Sequence, residues 1–165
     1  MSREREQDDA SSRLVIAARR FLEFATTSPI DEPDRLLKLI RFLDALNAAV
    51  IEVRERVPEN AGGGSPDKTG ELRNRWPELV ACYPTAALQT EQDWLDGDRE
   101  ADLAMAIDDL ADICSEAREA LAIAEQRGPR TGARHLAWTH EKHWIWHAHG
   151  LRYFLARQIL KQRPS

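Results

Sequence analysis

Cysteine is scarce in this chain of 165 residues: there are two, Cys82 and Cys114, far apart and without a CxxC pattern. They read as reduced, buried thiols of a cytosolic protein rather than parts of a disulfide framework. No apolar run approaches the ~20 residues that a membrane-spanning helix requires. The first residues, MSREREQDDASS, are charged and polar. They lack the apolar core of a secretory signal, so the expected location is the cytoplasm and no membrane partner is expected. A glycine-rich phosphate loop and a GxSxG nucleophile elbow are both missing, and with them the commonest signs of nucleotide or serine-hydrolase chemistry. The net charge of −5 argues against nucleic acid as a partner, because that partner calls for a cationic surface. No strand periodicity and no internal repeat appear. Histidine is absent until His135, and all five histidines lie between His135 and His149.

That one segment also holds Trp138, Trp144 and Trp146, three of the five tryptophans. Imidazole is the side chain best suited to metal binding and proton transfer near neutral pH, so any chemistry of this protein is expected there. Charge is unevenly distributed as well. Residues 71–125 are strongly acidic and residues 130–163 are basic. The preferred reading is pairing of the two regions inside one molecule; the other is a basic surface that meets an acidic partner.

Apolar spacing places the helices. Leu14, Ala18, Phe21 and Ala25 recur at helical intervals, which predicts a helix over 11–25 capped by Ser11 or Ser12 and preceded by a disordered tail over 1–10. A second helix begins near Pro33 and carries the stripe Leu39, Leu43, Leu46, Val50, Val53, Val57 up to Pro58. The segment PENAGGGSPDKTG over 58–70 reads as a flexible loop, with a short helix around Trp76 and an irregular stretch near Pro84 and Trp94 after it. A third long helix over 98–126 carries Leu103, Ile107, Leu110, Cys114, Ala117, Leu121 and Ala124, and Gly128-Pro129 stops it. The last helix is expected to run unbroken over 131–161. The implied architecture is all-α: a single helical domain over 11–162, a four-helix bundle of two hairpins joined by a long irregular crossover around residues 58–97.

On a regular helix His140, His143 and His147 fall within an arc of about 60°, so their rings can approach one ion. Asp108-Asp109-Leu110-Ala111-Asp112 on the preceding helix offers carboxylates one turn apart. The candidate metal ligands are therefore His140, His143, His147, Asp109 and Asp112, for a divalent ion such as zinc, nickel or manganese. Two plainer readings compete. The aspartates lie opposite the apolar stripe and can be a solvated acidic face, and the histidines can be satisfied by carboxylates or carbonyls with no metal. His135 and His149 point away from the common side and are expected to be half exposed. The reverse face of the same helix carries Trp138, Ile145, Trp146 and Tyr153, a candidate homodimer seam.

The segment Asp108-Asp109-Leu110-Ala111-Asp112-Ile113, followed by Trp138, His143-Trp144 and His147, resembles the bacterial family described as domain of unknown function 5063. The resemblance spans most of the chain from about Leu14 and implies a small all-helical protein, with no activity to carry over. Cys114 stands where that family usually has an aromatic residue, and Ile145 where it has a small one. The late-helix histidines are also similar to those of DinB-type metal-dependent bundles, but the further histidine those proteins carry on an earlier helix has no counterpart here. The function expected is that of a helical binding or assembly protein without catalytic activity. The alternative is a metal-dependent, hydrolase-like enzyme with Asp109 or Asp112 as ligand or base.

Overall fold

The computed structural model describes residues 3–27, 33–56 and 99–161, and among these every regular element is helical. The 58–97 crossover, with its glycine-rich stretch, Trp76, Cys82 and Trp94, lies outside them. Helix α1 is Arg3–Thr26, α2 is Pro33–Arg56 and α3 is Arg99–Arg127. The last segment is α4, Pro129–Thr139, a π turn over His140–Trp144, and α5, Ile145–Lys161. The protein is an all-α helical bundle.

The apolar stripes read from the sequence form the core. Leu14, Ala18, Phe21 and Ala25 of α1 pack with Leu39, Leu43, Leu46, Val50 and Val53 of α2. Ile107, Leu110, Ile113, Cys114 and Ala117 of α3 join them, as do Leu136, Trp144, Leu151 and Leu155 of the last segment. Each large apolar side chain so buried stabilises the fold by roughly 1.5–3 kcal/mol against exposure.

Ion pairs between neighbours show how the helices run. Arg13 meets Glu52 at 2.6 Å, Arg54 meets Glu141 at 2.9 Å and Arg152 meets Asp44 at 2.7 Å. Residue numbers rise on one helix as they fall on the next, so α1 and α2 are antiparallel, and so are α2 and the α4–α5 segment. At the α1–α2 corner the Arg35 guanidinium donates to the Phe24 carbonyl at 2.8 Å and covers the Phe24 ring.

Two expectations are corrected. Residues 3–10, expected to belong to a disordered tail, are helical, because α1 begins at Arg3. Gln7, Ala10 and Ser11 extend the buried row of Leu14 by one more turn, and Gln7 accepts a hydrogen bond from Arg130. Ser11 is therefore an interior residue of the helix and not its cap. The final segment is also not a regular rod. It is continuous, but at its centre the Ile145 N–H bonds back to the His140 carbonyl, five residues earlier instead of four.

The turn between α3 and α4 is a single residue. Gly128 takes φ 89°, a left-handed conformation that side chains disfavour. Its N–H donates to the Ala124 carbonyl at 2.9 Å and its own carbonyl accepts from Thr131 N–H. Pro129 opens α4, where its missing N–H costs nothing. This tight turn lays the histidine-bearing segment antiparallel along α3.

Candidate metal centre

Asp109, Asp112, Glu116 and Glu119 follow one another on α3 at intervals of three, four and three, so they form one row along a single side of the helix. The α4–α5 segment opposes that row with His147, His143 and His135, in antiparallel order. The His147 Nδ1–H donates to Asp109 Oδ1 at 2.7 Å, and its Nε2 lies 3.4 Å from Asp112 Oδ2. His143 Nδ1 lies 3.2 Å from Glu116 Oε1. His135 Nε2 lies 3.4 Å from Glu119 Oε1. The result is a ladder of acid–imidazole pairs running along the helix interface. Four acids of α3 thus face histidines of the following segment.

Glycines on the histidine side bracket the ladder. A Cβ at Gly132 would collide with the Ala120 carbonyl and the Ala124 side chain. A Cβ at Gly150 would lie 2.5 Å from Asp109 Oδ2. Both positions therefore let α3 and its partner approach more closely than any larger residue would allow, which brings short aspartate side chains within reach of imidazole nitrogens.

One ligand atom each from Asp112, His143 and His147 lies within 4.8 Å of the others, and the same holds for Glu116, Glu119 and His135. The His143 and His147 rings lie one turn apart, tilted by 60° with centroids 4.8 Å from each other. Asp112, His143 and His147 are half-buried, whereas Glu116 has no solvent exposure. Between its carboxylate partners His147 is held protonated to higher pH than usual, chiefly by the hydrogen bond to Asp109 and against the opposing cost of burial.

Of the five residues proposed as ligands, the structure gathers Asp109, Asp112, His143 and His147 and separates His140. The π turn swings His140 into the core, where it is 3% exposed. Its ring meets the edge of Trp144 with centroids 4.3 Å apart, and Nδ1 is buried without a hydrogen bond. Burial, with help from nearby Arg54 and His149, pushes its pKa down to about 4. The aspartates are not a fully solvated face: Asp108 is exposed, but Asp109 and Asp112 lie half-buried beneath α5. His135, expected to be half exposed, is buried, and His149 is exposed.

Trp144 fills the space behind the ladder. It is wholly buried and donates from Nε1 to the Leu136 carbonyl at 3.3 Å. On the outer side of α5, Trp146 is 76% exposed and Tyr153 66%, while Trp138 and Ile145 are half-buried.

Glu116, Glu119 and His135 were not anticipated as site residues. Their signal was present in the regular spacing that continues from Asp109 through Asp112, and in a histidine one helical partner away from Glu119. No family model, curated protein or solved structure matches this chain. Any functional reading therefore rests on the geometry alone.

Proposed function

We propose that this bundle is a metal-binding protein whose ligand is a divalent transition ion held by Asp112, His143 and His147. The observation that carries the reading is the double engagement of His147, with Asp109 on Nδ1 and Asp112 beside Nε2. Histidine ligands characteristically give one ring nitrogen to the ion and the other to a carboxylate that fixes the tautomer and strengthens the ligand. Asp109 holds that orienting position. Two imidazoles and one carboxylate suit zinc and neighbouring first-row ions. Without an ion the same geometry favours the protonated imidazole between two carboxylates, so an entering ion competes with a proton and not with a packed side chain.

Zinc titration of chelator-treated, untagged protein tests this, with elemental analysis of the product. Wild type binds zinc tightly and His147→Ala loses that site. Asp109→Asn weakens it by about 10–100-fold, the usual effect of removing an orienting carboxylate. Affinity falls about tenfold for each pH unit below the raised pKa of His147, because proton and ion compete for one nitrogen. Zinc uptake that is unchanged in His147→Ala would refute the assignment.

A hydrolase-like role is the second reading. Three protein ligands leave a fourth position of a tetrahedral ion for water, and bound water becomes a nucleophile near neutral pH. Zinc-dependent ester or phosphoester hydrolysis that disappears in Asp112→Asn would favour it over simple binding.

A further inference from the structure

We infer that Glu116, Glu119 and His135 form a second divalent-cation site, contiguous with the first and more oxygen-rich. The three residues each offer one ligand atom, all within 4.8 Å of one another. An independent feature points into this cluster: the His135 side chain is 7% exposed and its buried Nε2 makes no hydrogen bond. That nitrogen faces Glu119 Oε1 at 3.4 Å but out of line for a hydrogen bond. A buried imidazole nitrogen left in this way costs free energy unless something satisfies it, and an ion between the three groups would do so.

Charge leads to the same place. Glu116 is a carboxylate with no solvent exposure, and a buried carboxylate demands positive charge beside it. One side of Glu116 has His143, with Nδ1 at 3.2 Å from Oε1. Toward Glu119 there is a second carboxylate, and the two acids repel one another. A divalent ion at Glu116, Glu119 and His135 reverses that repulsion. Glu119, half-buried, supplies the solvent edge by which an ion can enter.

The donor set selects the ligand class. One imidazole with two carboxylates is harder than two imidazoles with one carboxylate, and so suits manganese(II) or iron(II) better than the first site does. Glu116 links the two sites, since it touches His143 of the first and belongs to the second. Bundles build paired carboxylate–histidine centres from facing helices in this way. The second site stands on its own residues and needs the first reading only for the role of His143.

Manganese chloride titration of chelator-treated protein, followed by electron paramagnetic resonance and by equilibrium dialysis with elemental analysis, tests the inference. Wild type takes up two manganese ions per chain. Glu119→Gln, an isosteric change at a half-buried position, takes up one, and so does His135→Asn. His147→Ala retains the ion at Glu116, Glu119 and His135. A wild-type protein that binds one ion, and loses it in His147→Ala, overturns the second site and leaves the first intact. Two ions retained in both Glu119→Gln and His135→Asn, with helicity unchanged by circular dichroism, overturn it as well. A wild-type protein that binds no manganese but still binds zinc through His147 refutes the second site alone, whereas binding of neither ion refutes both.

Discussion

Acid should destabilise this protein through a histidine that takes no part in the metal centre. His140 is nearly inaccessible, meets Trp144 edge-on and has its pKa lowered to about 4, first by burial and then by Arg54 and His149, with Glu141 opposing. In the unfolded chain the same imidazole titrates near its ordinary value of about 6.5. Between the two values the unfolded state binds a proton that the folded state refuses, so stability is present above the upper value and is lost as pH falls toward the lower one. With these limits the linkage relation gives a loss of about 2 kcal/mol between roughly pH 7 and pH 5, approaching about 3 kcal/mol below pH 4. His147 acts in the opposite sense, because its raised pKa adds stability below the ordinary value that disappears as pH rises. The wild-type curve mixes these effects, and a variant is needed to separate them. His140→Phe keeps an aromatic ring against Trp144 and removes the titrating group. Urea unfolding of both proteins across this pH range should show the variant gaining on wild type by about 2 kcal/mol as pH falls to 5. Stability curves that stay parallel to within about 0.5 kcal/mol, inside the ordinary scatter of such comparisons, would refute the assignment of His140 as a buried neutral imidazole.

The bracketing glycines should respond differently to the same change. Gly132→Ala places its methyl against the Ala120 carbonyl and Ala124, which are backbone and packed side chain. It should destabilise by about 1–3 kcal/mol despite the roughly 1 kcal/mol that alanine gains in helix propensity. Gly150→Ala meets only the Asp109 carboxylate, which can rotate away. Urea unfolding should therefore show little or no loss of stability, while zinc titration shows weakened binding as Asp109 leaves His147; a Gly132→Ala protein as stable as wild type would refute the close-approach argument. Deletion of Lys142, exposed within the π turn, should convert that turn to an ordinary one and leave a folded, helical protein by circular dichroism. Deleting Tyr153 from the regular α5 should cause a much larger loss of thermal stability, and equal losses would refute the extra-residue reading of the turn.

The stripes were legible because burial on one side of a helix enforces a three–four spacing, and Leu14, Phe21, Leu43, Val50, Ile107, Leu110 and Cys114 obey it and are all buried. The start of α1 was less so, because Gln7, Ala10 and Ser11 occupy buried positions with residues whose composition suggests solvent. On α3 the aspartates were set opposite the core on the assumption of a single buried side. That helix is covered more widely: Ile113, Glu116 and Ala120 are buried along with Leu110 and Cys114. Its acidic row consequently faces α4 and α5 rather than water. Of the site, His143, His147, Asp109 and Asp112 could be found from spacing alone. Glu116 and Glu119 continue the same spacing, whereas His135 joins the row only through the wide turn over His140–Trp144.

That turn decides the membership of the site. On a regular helix His140 and His147 are about 20° apart, and His135 lies about 120° from His147. In this segment Leu136, His140, Trp144 and Ala148 are all buried at intervals of four. Each such step overshoots a regular turn by about 40°, and three steps would carry Ala148 out of the core. A π turn closes its hydrogen bond five residues back, so four residues across it fall short of a full turn and cancel the accumulated drift. The extra residue has a second consequence on the α3 side. From His135 to His143 the helix advances as though one residue were missing, which brings His135 to within about 20° of the row of His143 and His147. His140 sits inside the turn and is carried toward Trp144 and the core. The same local widening that keeps Trp144 buried therefore exchanges one histidine of the row for another, and lines up His135, His143 and His147 against Glu119, Glu116 and Asp109.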